Sequence, residues 1–189
     1  MPKLNGIKVA ILVAHGFEQS EMTEPKKALE DAGAETKIIS PEKDKVKGWK
    51  HTNWGDEFPV DVELNNANAD DYDALLLPGG VMNPDRLRMN PKAVDFVQKF
   101  VKSDKPIAAI CHGPWTLINA EAVQDKKITS WPSIKMDLMN AGANWVDEKV
   151  VRDGKLVTSR KPDDIPAFNR ELIELLSEQV QTKPLRKTA

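Results

Sequence analysis

The 189-residue chain has a single cysteine, Cys111, so no disulfide can form within it. It has no stretch approaching the ~20 apolar residues that a membrane helix needs. Its formal net charge is only −2, which gives no long-range attraction for nucleic acid or an anionic membrane. The glycine patterns of phosphate-binding and dinucleotide-binding loops are missing. The three histidines and the lone cysteine share no metal-ligand spacing, so neither a metal nor a cofactor is expected. The opening Met1-Pro2-Lys3-Leu4-Asn5-Gly6 runs straight into an apolar strand, without the h-region and cleavage site of a signal peptide. Together these features point to a reducing, cytoplasmic setting.

Hydrophobic residues make up 40% of the sequence and charged residues 30%, which suits one globular domain over residues 1–189. The structured part is expected at about 7–179, with the basic run from Lys183 to Ala189 as a frayed tail. Residues 7–13 form a short, β-branched apolar run, as in a strand buried on both faces of a parallel sheet. A helix is expected from about Ser20, stopped at Gly33, and then a strand at 35–40. Residues 43–63 are irregular, with an edge strand near 58–62. A buried strand at 72–77 is broken by Pro78-Gly79-Gly80.

Asn90-Pro91 begins a helix running to about Lys102, with asparagine at the N-cap and proline at N1. Residues 105–110 form the next buried strand, and 115–121 and 134–141 read as helices. Asp153-Gly154 marks a hairpin turn within 150–157. A last helix spans about 163–179. Alternating strands and helices imply an α/β fold with a mostly parallel central sheet and right-handed crossovers.

In such sheets ligands bind beyond the carboxyl ends of the strands. Three polar or glycine-rich segments fall there: residues 15–18, Pro78-Gly79-Gly80 and Cys111-His112-Gly113. Cys111 follows a strand and precedes a helix, the geometry of a nucleophile elbow. A helix N-terminus favours thiolate and can lower a thiol pKa from ~8.5 into roughly 3.5–7.5. A lone cysteine can equally be a small buried apolar residue, and position alone leaves both readings open. Glu18 can approach the sulfur as acid and base, although a solvated loop acid reads the same way. Gly80 can aim a backbone N–H into the cleft, with the His112 N–H as its partner, or belong to a plain turn. The His112 imidazole is a further candidate base.

These residues carry a family likeness. The run Ala108-Ala109-Ile110-Cys111-His112-Gly113-Pro114 resembles the cysteine elbow of the DJ/PfpI superfamily. Phe17-Glu18 with Glu21 resembles its first-loop motif, and Leu77-Pro78-Gly79-Gly80 its glycine turn. The runs at 129–134, 140–147 and 157–160 are similar to the PfpI branch in particular.

The resemblance implies a flavodoxin-like α/β sandwich related to class I glutamine amidotransferases. It implies Cys111 as nucleophile, Glu18 as its acid/base partner, and the Gly80 and His112 amides as oxyanion donors. It also implies a homo-oligomer in which His112 meets a carboxylate of a neighbouring subunit, matched here by Asp85 in Pro84-Asp85-Arg86. The activity implied is that of a cofactor-independent cysteine hydrolase or glyoxalase. Its substrates would be small reactive dicarbonyls or glycated proteins and peptides. An oligomeric intracellular cysteine peptidase is the alternative, and a redox-sensing stress protein or holdase a third.

Overall fold

A computed structural model describes residues 3–182 of the chain; the expected basic tail lies outside the described residues. The first strand, β1 (Lys8–Leu12), leads through the short β2 (Phe17–Glu18) into α1 (Gln19–Asp31). Gly33 follows with φ +98°, a left-handed stop that only glycine adopts without strain. Next come β3 (Glu35–Ser40), β4 (Lys45–Lys50), β5 (Asn53–Pro59) and β6 (Val62–Glu63). β7 (Ala74–Leu77) precedes α2 (Met82–Arg88) and α3 (Pro91–Lys102). The Asn90 side chain caps α3 by accepting from the Lys92 and Ala93 N–H groups. β8 (Ile107–Ile110) ends at the cysteine, followed by α4 (Pro114–Asn119), β9 (Lys127–Ile128), α5 (Lys135–Asn140) and β10 (Asn144–Trp145). β11 (Val150–Asp153), β12 (Leu156–Ser159) and α6 (Ile165–Thr182) complete the described chain.

The main sheet has seven strands in the order β11-β12-β8-β7-β1-β3-β6. All its pairings are parallel except β11–β12, where the expected Asp153-Gly154 turn closes an antiparallel hairpin. Such a sheet needs helices on both faces, and the core accordingly divides into two layers. One gathers Leu75, Leu77, Phe96, Phe100 and Leu117. The other gathers Ile11, Met22, Leu29, Phe168 and Leu172. β1, β7 and β8 are the central strands, and β7 and β8 are buried at every position, which brings their carboxyl ends to one edge.

Three details depart from the sequence reading. Residues 43–63 are not irregular: β4 and β5 pair as a hairpin, with β2 beside β4, in a separate three-stranded sheet. Their mix of glycine, lysine, asparagine and tryptophan hides the period-2 pattern, because β5 is largely exposed. Next, α2 occupies a segment between the Pro78-Gly79-Gly80 turn and Asn90 to which the sequence pattern assigns no element. Finally, β9 and β10 pair as a two-residue parallel ladder, too short to leave a periodic signal.

Candidate active site

Cys111 sits immediately past β8 with φ +63°, a left-handed conformation that costs a non-glycine residue about 1–3 kcal/mol. Its backbone is held on both sides: its N–H donates to the Ser159 carbonyl at 3.0 Å, and its carbonyl accepts from the Trp131 N–H at 2.9 Å. Gly113 makes the turn fit, since a Cβ there would fall 2.5 Å from the Leu77 carbonyl oxygen. The elbow thus forms where the sequence placed it. The side chain is only 7% exposed.

The carboxyl that meets the thiol is Glu21, not Glu18. Glu21 lies on the first turn of α1, fully buried, and its Oε2 accepts the Gly79 N–H at 3.0 Å. The carboxyl also interacts with the Cys111 thiol, and its buried Oε1 has no aligned hydrogen-bond partner. Gly79 leaves room for this approach: a Cβ on it would lie 2.5 Å from Glu21 Oε2 and 2.6 Å from Cys111 Cβ. Glu18 ends β2, one helical turn earlier, and its Oε1 accepts weakly from the Ser20 hydroxyl at 3.4 Å. It lines the same cavity without meeting the sulfur.

Burial sets the electrostatics. It pushes the Glu21 carboxyl up to about 8, with the nearby Glu18 charge adding to the rise. Burial also pushes the Cys111 thiol up, and the Glu21 charge adds to this, while the Gly80 and His112 N–H groups pull it down. The expected depression by a helix N-terminus is therefore outweighed. α4 is only six residues long, whereas the thiol is almost fully desolvated. The resting site near neutral pH is a protonated thiol beside a protonated carboxyl.

The imidazole beside the sulfur is that of His112. Its Nδ1 stands 3.3 Å from Cys111 Sγ, a pairing between chain neighbours that the sharp elbow permits. Its Nε2 lies 3.1 Å from Ser133 Oγ. The ring is stacked on Trp131, and burial lowers its pKa, so it is neutral. A protonated thiol donates to Nδ1, which puts the ring proton on Nε2, facing Ser133. Ser133 is thus a positioning residue that no motif singled out within the run 129–134. Ser133→Ala should slow iodoacetamide alkylation of Cys111 near neutral pH about tenfold, the worth of one hydrogen bond, with Ser133→Thr restoring it. Equal rates in the wild type and the alanine variant would remove Ser133 from this role.

The Gly80 and His112 N–H groups face the sulfur, so both are placed to receive a developing oxyanion. Gly80 holds φ +76°, and a Cβ there would strike the Gly16 carbonyl oxygen at 2.5 Å. The buried Asn83, also unforeseen, fixes this turn. Its amide donates to the Pro78 and Gly79 carbonyls at 2.8 and 3.2 Å, and its Oδ1 accepts the Ala14 N–H at 2.7 Å. Asp85 is exposed on α2, and within one chain the polar partner of His112 Nε2 is Ser133. A cavity of about 630 Å³ opens over the cysteine. Among the described residues no cluster of His, Cys, Asp or Glu side chains is arranged to hold a metal ion, and no helix is long and apolar enough to cross a membrane.

Residues 7–175 match the family model described as DJ-1/PfpI family. The chain is 50% identical over 173 residues to General stress protein 18 of Bacillus subtilis, covering 90% of this chain and 98% of that protein. It is 44% identical over 170 residues to Deglycase PH1704 of Pyrococcus horikoshii, covering 90% and 99% of the two chains. Among solved structures, Drosophila melanogaster DJ-1beta superposes with a TM-score of 0.83 at 28% identity, covering 93% of this chain and 94% of that one.

Proposed function

Since this chain belongs to the DJ-1/PfpI family, we propose that it is a cofactor-independent cysteine enzyme that converts reactive dicarbonyls, free or as protein adducts, to hydroxy acids. The observation that carries this reading is the set of groups meeting at one thiol: the Glu21 carboxyl, the His112 imidazole and two backbone N–H donors.

The chemistry follows from these protonation states. Sγ attacks the aldehyde carbon of methylglyoxal as its proton passes to His112 Nδ1. The developing alkoxide is held by the Gly80 and His112 N–H groups, each worth roughly 2.7–4 kcal/mol to such a step. Glu21 donates its proton to that oxygen, giving a hemithioacetal. As a carboxylate in a buried site it is now a stronger base than an ordinary glutamate. It removes the proton from the thiol-bearing carbon and returns it to the neighbouring carbon, while the hydroxyl proton on the first carbon's oxygen passes to the ketone oxygen, so that the first carbon becomes the thioester carbonyl and the second carries the hydroxyl. The product is a thioester of lactic acid, which water cleaves to lactate while Cys111 recovers its proton. Overall, one methylglyoxal and one water give one lactic acid. A carboxyl with a pKa near the working pH suits this double duty as acid and then base.

The test is to add methylglyoxal to the protein with no thiol cofactor and follow lactate. Lactate formation at the buffer rate would sink the proposal. The peptidase reading rests on the Cys111–His112 contact and on a neighbouring subunit's aspartate reaching the imidazole. It is less favoured because Nε2 already has Ser133 as partner. In that reading Asp85→Ala should lower peptide cleavage by about 10⁴-fold, as expected for loss of an orienting carboxylate. Undiminished cleavage would eliminate it. The sensor or holdase reading depended on an exposed thiol, and a 7% exposed Cys111 supports it less. A reducing, cytoplasmic location is part of the proposal, since the mechanism needs Cys111 as a free thiol.

A further inference from the structure

With Glu21 holding the thiol, Glu18 is left as a second carboxylate on the same cavity, without a task in the reaction. The surrounding wall is distinctive. Trp49 and His51 reach it from the β4–β5 hairpin, Trp131 from the segment before α5, and Val81 and Met82 from the start of α2; among the described residues no lysine or arginine lines it. The hairpin is fixed in place rather than loosely attached. The Gln19 side chain grips β5 in two directions, Nε2 donating to Asp56 Oδ2 at 2.6 Å and Oε1 accepting the Asp56 N–H at 2.8 Å. Gly48 and Gly55 clear its path; a Cβ on Gly55 would fall 2.1 Å from Gln19 Oε1. Trp49 is oriented by Trp54, edge-on at 5.4 Å, and its indole N–H is spent on the His51 carbonyl at 2.8 Å. Trp131 is braced by stacking on His112.

A carboxylate and two indole rings lining one cavity, with Glu18 paired in register to Trp49 across β2 and β4, supply the chemistry that recognises an organic cation. The carboxylate supplies charge, the rings supply quadrupole attraction and apolar contact, and neither requires a particular donor geometry. The fully buried Glu21 carboxyl lies in the same cavity, beside the reacting sulfur. We propose that Glu18, Trp49 and Trp131 form a subsite for a guanidinium or ammonium group next to Cys111. This deepens the reading given above, on which it rests for the choice of reacting thiol. Carbonyl groups presented on an arginine or lysine side chain would be favoured over uncharged or anionic ones.

Charged thiol reagents test this without assuming any carbonyl reaction. Methanethiosulfonates carrying a trimethylammonium, a methyl or a sulfonate group all transfer their sulfur to Cys111. An S–S bond forms, methanesulfinate leaves and the thiol proton goes to buffer. Because Cys111 is the single cysteine, labelling reports this site alone. The ratio of the cationic to the anionic rate, divided by the same ratio for a small free thiol, should exceed unity roughly tenfold or more, as for a cleft of one sign. Glu18→Gln should bring that ratio most of the way to the free-thiol value. Glu24→Gln, the same charge change on an exposed position of α1, should not. Trp49→Ala should slow the cationic reagent more than the methyl one.

A ratio at or below that of the free thiol, or equal loss in Glu18→Gln and Glu24→Gln, overturns the subsite. A charge preference lost in Glu18→Gln alone, in a protein that makes no lactate, supports the subsite and overturns only the reaction.

Discussion

Cys111→Ser and Glu21→Gln should each lower lactate formation from methylglyoxal by about 10³-fold or more, and the double variant should be no worse than the worse single one. Residues that act as one unit show this non-additivity, since removing either stops the same step. Serine keeps the volume and the elbow, but an unactivated hydroxyl is a far weaker nucleophile than a thiol. Glutamine keeps the acceptor for the Gly79 N–H and a donor toward the sulfur. What it loses is the proton that moves between the two carbons. The Glu21 variant should therefore still form the hemithioacetal, detectable by mass spectrometry or by slowed alkylation in the presence of methylglyoxal, and accumulate it. If Glu21→Gln turns over normally and Glu18→Gln is the variant that stops, the two carboxylates have been assigned in the wrong order.

That assignment is where sequence and structure part most instructively. Both acids stand in one run, Glu18-Gln19-Ser20-Glu21, and both belong to the motif that suggests a carboxyl near the cysteine. Proximity to the strand end favours Glu18. The deciding fact is the start of α1 at Gln19: two residues on, Glu21 projects from the first turn toward the Gly79 N–H, while Glu18 remains in β2. A one-residue uncertainty in a helix boundary is ordinary for sequence reasoning, and here it selects between two roles.

Other parts were legible because they rest on strong local chemistry. The apolar runs of β1, β7 and β8 announce a parallel sheet, Asn90-Pro91 announces α3, and Asp153-Gly154 announces the β11–β12 hairpin. Ser133 and Asn83 were not legible, since Ser133 acts through a contact across 21 residues and Asn83 from a buried place in a segment to which the sequence pattern assigns no element. The thiol's titration direction was misjudged for a related reason. A helix terminus is visible in sequence, whereas the depth of burial that outweighs it exists only after packing.

Burial of Glu21 has a measurable consequence for stability. Its carboxyl ionises at about 8 in the folded protein against an ordinary value of 4.5, so between these limits the folded state holds a proton that the unfolded chain has released. Stability must then fall as pH rises through this window and level off above it, by about 5 kcal/mol in all if Glu21 alone titrated. His112 acts in the opposite sense. Its folded pKa lies below 6.5, so the folded state gains relative stability as pH rises toward 6.5, and this masks part of the Glu21 slope. Glu30 and Glu178 are held below 4.5 by Lys26 and Arg152, and their contributions change only below that pH. Cys111 is raised above its ordinary 9.0 and acts only beyond it.

The clean interval is therefore pH 6.5 to 8. Across it the wild type should lose about 2 kcal/mol of unfolding free energy, read from urea or guanidinium midpoints at constant m. Glu21→Gln, which buries a neutral amide of the same shape, should show a flat profile over the same interval and be the more stable protein at pH 8. A wild-type profile already flat from pH 6.5 to 8 would mean that Glu21 is ionised in the resting site, and the proton it delivers to the alkoxide would have to come from elsewhere.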